Sequence, residues 1–368
     1  IPIMLIAMFL ITAGLFVLLL GGESLVAGAQ GVSEKLSIPP MIIGLTIVAF
    51  ATSVPELCVS IIAAHEGSPE IAIGNILGSN IFNTLMVIGI AVVLTRRASS
   101  VKSPGTPLWL DEGDSRTSTQ SLVLHETLFS RELFWCIGAT LLVFFFAWTP
   151  SGGAVVSLTE GLCLLVIMVC IILWIVRSAI SNPQEIEPEE PDVGAVVAGL
   201  AAGLTIAAWV LTDSSSWKHP ACVVAIVWTW WTLSRAKAQM STTTLLALLS
   251  VGVWVLTVGS GMLVDGAQMA ATELGVSEAV VALTGVALGT SAPELATTIV
   301  AVRRGELDLA IGNALGSNLF NILLVLGVAA VIQPIPVSSR FLEIDTPFAL
   351  GSLVILGIFA KGYLGGGG

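Results

Sequence analysis

Charge is scarce in this chain. Asp, Glu, Lys and Arg make up 11% of its 368 residues, and 55% are apolar. A soluble domain carries about 25% charged residues. So much apolar surface cannot be hidden in one core, and the chain reads as an integral membrane protein. The formal net charge of −11 is then no guide to partners, and no nucleic-acid partner is expected. Part of that charge falls in 184–192, QEIEPEEPD, which reads as a solvated acidic linker rather than a regulatory cation site. Cysteine is also sparse. Cys58, Cys136, Cys163, Cys170 and Cys222 all lie in apolar runs without CxxC spacing, which excludes a disulfide framework or zinc site and predicts buried thiols. There is no nucleophile–base pair, nucleotide loop or hydrolase metal motif, so neither an enzyme nor a resident cofactor is expected. The chain opens on Ile1 and closes on four glycines, and its ends say nothing about targeting.

What the sequence does contain is a segment written twice. Gly44–Glu56 (GLTIVAFATSVPE) and Gly74–Asn83 (GNILGSNIFN) return as Ala282–Glu294 (ALTGVALGTSAPE) and Gly312–Asn321 (GNALGSNLFN). Glu56 and Glu294, and likewise Asn83 and Asn321, stand 238 residues apart, with no gap between the copies. The match extends back to Gly28-Ala29-Gln30 and Gly266-Ala267-Gln268. This is an internal duplication.

A membrane-crossing helix needs roughly 20 apolar residues. Spans are expected at 3–22, 41–64, 70–94, 132–149, 154–177, 194–212, 220–234, 243–265, 279–302, 308–332 and 346–361. The chain divides into a first repeat at 1–97, a polar insertion at 98–131, two helices at 132–177, and an acidic linker with an extra helical hairpin at 178–242. A second repeat at 243–332 and a link with a last helix at 333–368 complete it. With the N-terminus outside, Lys35, Arg96, Arg97, Lys102, Arg177, Arg235, Lys237, Arg303, Arg304 and Lys361 all fall inside, and only Lys218 and Arg340 fall outside. Seven spans separate the starts of the two repeats. That odd number threads them in opposite directions, the inverted repeat of many secondary transporters. The parity requires that 194–212 and 220–234 both cross or neither does; if one alone crosses, the repeats are parallel.

Each copy carries one carboxylate deep in apolar sequence, Glu56 and Glu294, with no Lys, Arg or His in either repeat core. An ionised carboxylate there costs at least a few kcal/mol, so it must be protonated, paired or bound to a cation. Pro55 and Pro293 each free a backbone carbonyl one turn earlier. Small Ala49, Ala51, Ala287 and Gly289 let backbone oxygens approach. Thr52, Ser53, Thr290 and Ser291 add hydroxyls; Asn75, Ser79, Asn80, Asn83 and their counterparts Asn313, Ser317, Asn318, Asn321 add further oxygens. An all-oxygen set suits a hard cation such as Ca²⁺ or Na⁺. The Gly74/Gly78 and Gly312/Gly316 pairs read as close helix packing. Asn80 and Asn318 are open between helix–helix glue and ligand.

These two motifs, in order and oppositely threaded, resemble the α-repeats of the cation/calcium exchanger superfamily, in its sodium/calcium exchanger branch, over about 21–94 and 259–331. The resemblance implies an all-α, polytopic fold of about five plus five core helices. Here a hairpin is expected in addition at 194–234, and the tenth helix is missing or truncated after Lys361. It implies Glu56 and Glu294 as central Ca²⁺ ligands. Ala49, Thr52, Ser53, Ser79 and Asn83, and Ala287, Thr290, Ser291, Ser317 and Asn321, are expected to assist, with Na⁺ competing at flanking sites. The helices at 3–30 and 243–268 are expected to slide across a rigid remainder. Some relatives carry Asp at the place of Asn83 or Asn321, so ion stoichiometry does not transfer; Asn321 itself argues against K⁺ coupling. The expected activity is Ca²⁺/Na⁺ exchange in the cell membrane, for which a monomer suffices. A cation/H⁺ antiporter using the same glutamates and a cation channel are the rivals.

Overall fold

The structure, a computed structural model, describes residues 2–100, 126–147, 155–181, 240–276 and 289–364. Most of the polar insertion, the acidic linker 184–192, the spans expected at 194–212 and 220–234, Cys222 and Ala287 lie outside the described residues. The chain is almost wholly helical. α1 is Pro2–Leu36. α2 (Pro40–Thr52) and α3 (Val54–His65) meet at 42°. α4 covers 69–100, α5 Glu126–Ala147 and α6 Leu158–Ser181. α7 is Thr242–Glu273, α8 Ala292–Arg303, α9 Leu307–Ile332 and α10 341–364. Seven described helices are long and apolar enough to cross a membrane, and the bent α2–α3 pair makes an eighth. A two-residue ladder, β1 (Val155–Val156) against β2 (Ile335–Pro336), ties the entry of α6 to the exit of α9.

The helix ends follow local chemistry. The expected single span 41–64 breaks at Ser53 because Pro55, in the first turn of α3, has no N–H to continue the ladder. The second copy breaks at Ser291, ahead of Pro293. α1 runs well past the expected 3–22 because Leu25, Val26, Ala29 and Val32 are buried against α7 and α8, and Glu23 finds a partner in Arg304, at 2.5 Å. α5 begins six residues before the expected 132, where polar Glu126–Arg131 carry the helix beyond its apolar run. π-helical turns begin at Asn83 and at Asn321, the same motif position in both copies; such wide turns often mark functional sites.

Phe9, Phe16, Phe134, Phe145, Leu173 and Phe359 turn outward, as lipid-facing residues do. Cys163 and Cys170, two turns apart on α6, share such a face and are exposed, contrary to the buried thiols expected; lipid accepts an apolar thiol as readily as a core does. Cys136 is buried.

A pseudo-twofold axis is written into the contacts between α1 and α7, which pack antiparallel along their length. A Cβ on Gly14 would stand 2.8 Å from Leu263 N, and one on Gly252, its counterpart, 2.7 Å from Leu25 N. Gly21 meets Leu256 and Gly259 meets Leu18; Gly28 meets Leu249 and Gly266 meets Ile11. Each contact maps onto its twin by the 238-residue offset. One glycine every seven residues keeps a bare stripe on the same helix face, so the two backbones approach closely. α1, α7 and α8 share one apolar cluster, with part of α2; α4, α5, α6 and α9 build a second.

The axis is broken at one end. α1 lies along α8, with Gly22 under Ala296 and Val300. Arg304 binds Glu23 and Gln30, and Gln30 donates to Glu306 at 2.6 Å. α7 makes no comparable packing against α3. Ile62, the counterpart of Val300, is 48% exposed where Val300 is 1% exposed.

Filling a glycine notch separates α1 from α7. Gly259→Val is expected to lower the thermal midpoint of the detergent-purified protein by several degrees, as about 1–3 kcal/mol of overpacking does. Gly138→Ala, in open space on α5, is expected to leave it unchanged. Heating followed by size-exclusion chromatography measures both.

Candidate functional site

The two breaks, at Ser53 and Ser291, lie against the π-turn helices α4 and α9. Glu56 and Glu294 sit in the first turns of α3 and α8. Both are fully buried. They meet across the axis: Ser291, three residues before Glu294, donates to Glu56 Oε1 at 3.4 Å, and Ser79 donates to the same oxygen at 3.4 Å.

Each threonine of a break reaches the opposite repeat. Thr52 Oγ1 donates to Asn313 Oδ1 at 3.1 Å, and Thr290 Oγ1 donates to Asn75 Oδ1 at 3.0 Å. These two bonds are one bond repeated by the twofold. The hydroxyl pairs repeat as well, with Thr52 to Ser317 at 3.1 Å and Thr290 to Ser79 at 3.5 Å. Asn75 and Asn313 are thus posts that hold the threonines. The signal for them was present, since both open a copied Gly-Asn pair. Ser60 joins this frame by accepting from Asn75 Nδ2 at 3.4 Å.

Asn80 and Asn318, left open between glue and ligand, bond across the helices, while Asn318 Oδ1 has no partner among the described residues. They face each other at the axis, where Asn80 Nδ2 donates to the Asn318 carbonyl at 3.1 Å. Gly312 and Gly316 press against the α2 backbone at Met41 and Leu45, as close packing requires, whereas a Cβ on Gly74 would meet nothing within 4 Å among the described residues.

Of the candidate ion-site residues, Glu56, Glu294, Thr52, Thr290, Ser53, Ser291, Asn83, Asn321, Ser79, Ser317 and Ala49 all fall within this buried frame; Ala287 lies outside the described residues. Their oxygens are not equally available. The Ala49 carbonyl accepts from the Ser53 N–H at 3.0 Å and from Thr52 at 3.3 Å. Among the described residues, Glu56 Oε2, both carboxylate oxygens of Glu294, Ser53 Oγ, both amide atoms of Asn83 and Asn321 Oδ1 have no hydrogen-bond partner. Buried polar atoms without partners are costly and rare in folded proteins, and here they gather at one place. Among the described residues no three His, Cys, Asp or Glu cluster. A cation held here would be bound by two carboxylates and neutral oxygens, the chemistry of a hard ion.

The family model for the sodium/calcium exchanger protein matches residues 6–177 and 244–364, so both halves of the site lie inside it. CaxA of Alkalimonas amylolytica is 32% identical over 335 residues, 90% of this chain and 82% of CaxA. The inner membrane protein YrbG of Escherichia coli (strain K12) is 30% identical over 334 residues, 90% of this chain and 81% of YrbG. The sodium/calcium exchanger MaX1 of Methanosarcina acetivorans is 25% identical over 348 residues, 94% of this chain and 89% of MaX1. Among solved structures, the sodium-calcium exchanger NCX_Mj superposes with a TM-score of 0.64 at 23% identity, over 97% of this chain and 91% of NCX_Mj, which supports the inverted-repeat fold. With both motif copies matched and the frame between them built, the chain belongs to the sodium/calcium exchanger protein family and is a multi-pass membrane transporter of that family.

Proposed function

We propose that this protein is a secondary active antiporter that exchanges Ca²⁺ for Na⁺ by alternating access, with the ions bound between the two repeats. The observation that carries the reading is the pair Glu56 and Glu294. Both are fully buried at twofold-related positions, and three of their four carboxylate oxygens have no hydrogen-bond partner among the described residues. Two buried anions without a protein cation are stable only when neutralised. One Ca²⁺ does this, and so do two Na⁺. Thr52, Ser53, Ser79 and Asn83, with Thr290, Ser291, Ser317 and Asn321, supply neutral oxygens around them. The role of exchanger that MaX1 carries in its name supports the same ion pair for this chain.

The broken symmetry supports the alternating step. Gln30 of α1 meets Arg304, so the Lys35 end of α1 and the Arg303–Arg304 corner share one end of the bundle. On the positive-inside rule that end faces the cytoplasm and the N-terminus lies outside. α1 then closes the inner path along α8, and the gap between α7 and α3 opens outward. Movement of the α1–α7 pair across α2 and α8, on which it packs, exchanges the two conditions. In a cell membrane with an inward Na⁺ gradient, the cycle extrudes Ca²⁺.

In proteoliposomes at fixed pH, a Na⁺ gradient is expected to drive ⁴⁵Ca²⁺ uptake. Glu56→Gln and Glu294→Gln are each expected to reduce it at least about tenfold, since each removes a charge that the ion must meet. Uptake that follows a pH gradient and ignores Na⁺ would instead establish H⁺ coupling, and current without a counter-ion would establish a channel. The conformational reading is checked by thiol labelling against the background of the native cysteines. Ile62→Cys is expected to react with N-ethylmaleimide several-fold faster than Val300→Cys in the absence of Ca²⁺. Equal rates would contradict an outward-open resting state.

A further inference from the structure

The two asparagines that close the motifs occupy twofold-related positions but are bonded differently. Asn321 Nδ2 donates to Asn80 Oδ1 at 3.1 Å. The mirror bond, from Asn83 Nδ2 to Asn318 Oδ1, is absent, and both of its atoms are buried without partners. The cause lies one residue further along α4. Thr84 has Ile322 as its counterpart, so its hydroxyl has no twin. That hydroxyl donates to the Asn80 carbonyl at 2.8 Å and accepts from Asn318 Nδ2 at 2.9 Å. It thereby takes the backbone acceptor that Asn318 would use in a symmetric arrangement, and it captures the Asn318 amide itself. Asn318 Oδ1 is drawn away from Asn83, whose amide keeps both polar atoms free.

We infer that Thr84 is a positioning residue that makes the ion site lopsided, holding Asn318 so that Asn83 serves the ion while Asn321 braces the frame. The inference rests on the ion-site reading above and adds an assignment of roles within it. Calcium and the sodium ions that replace it then meet a full amide oxygen from the first repeat. From the second they meet an amide already committed through its nitrogen. Without the hydroxyl, Asn318 Nδ2 can turn to the Asn80 carbonyl and its Oδ1 can accept from Asn83, as the other half does with Asn80 and Asn321. Asn83 is then tied through its nitrogen, as Asn321 is, and loses the freedom to turn its oxygen fully to the ion.

Equilibrium ⁴⁵Ca²⁺ binding to the purified full chain tests this, with Na⁺ competition as a second readout. Thr84→Val is expected to weaken Ca²⁺ binding about 3- to 10-fold, the scale of one hydrogen bond diverted from a ligand. Thr84→Ser, which keeps the hydroxyl, is expected to bind within about twofold of the unaltered protein on the same scale. Asn83→Ala is expected to weaken binding to a similar degree, and Thr84→Val added to it to change nothing further, because both act through one amide. A purely structural threonine would lower the thermal midpoint and add its full effect to Asn83→Ala. That result, or unchanged binding in Thr84→Val, overturns the inference while leaving the ion reading in place. Failure of the unaltered protein to bind Ca²⁺ overturns both.

Discussion

Two carboxylates in an apolar interior, with no protein cation among the described residues to neutralise them, are the constraint on which the rest of the structure depends. Glu56 and Glu294 sit at the starts of α3 and α8 because each helix pair is broken just ahead of them, at Ser53 and Ser291. The breaks expose backbone that must be held. The reciprocal bonds Thr52–Asn313 and Thr290–Asn75 hold it by tying each break to the other repeat. Neither half can complete its own site. The duplication therefore creates one centre from two incomplete ones.

Around that frame the packing separates into two bodies. The glycine stripes of α1 and α7 face each other and let the two helices approach by backbone, so that they form one pair. The apolar cluster they share with α8 is distinct from the one around α4, α5, α6 and α9. If the pair moves as a unit, the reciprocal threonine bonds lie in the part that need not change. On the proposed reading, closing over an empty site buries two bare carboxylates, whereas closing over Ca²⁺ or two Na⁺ buries a neutral unit. The difference between those costs makes transit conditional on cargo, which is what separates an exchanger from a leak.

Much of this was legible in the sequence, because the duplication is a comparison of the protein with itself. Glu56 and Glu294 and the oxygen-rich neighbours follow from two aligned stretches, and the opposite threading from the odd count of spans between them. What was not legible depends on distant pairing. The length of α1 rests on Leu25, Val26, Ala29 and Val32 packing against the distant α7 and α8, and on Glu23 meeting Arg304 across 281 residues. The roles of Asn75 and Asn313 as posts need the crossed geometry, since spacing alone makes them further oxygens. The outward turn of Cys163 and Cys170 is invisible to an apolar run, which reads the same whether it faces protein or lipid. Thr84 was silent for a different reason: it sits just outside the copied motif, where the two halves cease to match.

Departures from symmetry of this kind decide how a duplicated transporter divides its time. If the halves were identical, the inner-closed and outer-closed arrangements would have equal energy. The ion pair of Glu23 with Arg304 exists in only one of them, because its twofold images are Gly261 and Glu66, which cannot bond. Both partners are partly exposed, at 37% and 29%, and such a pair is worth about 1 kcal/mol or less. That tilts the populations by a factor of about five at most. A buried, fully desolvated clasp would hold one face shut and stop the cycle, and no clasp at all would leave the resting state undefined. A surface pair at the end of a sliding helix sets a preference that the binding of an ion can still reverse.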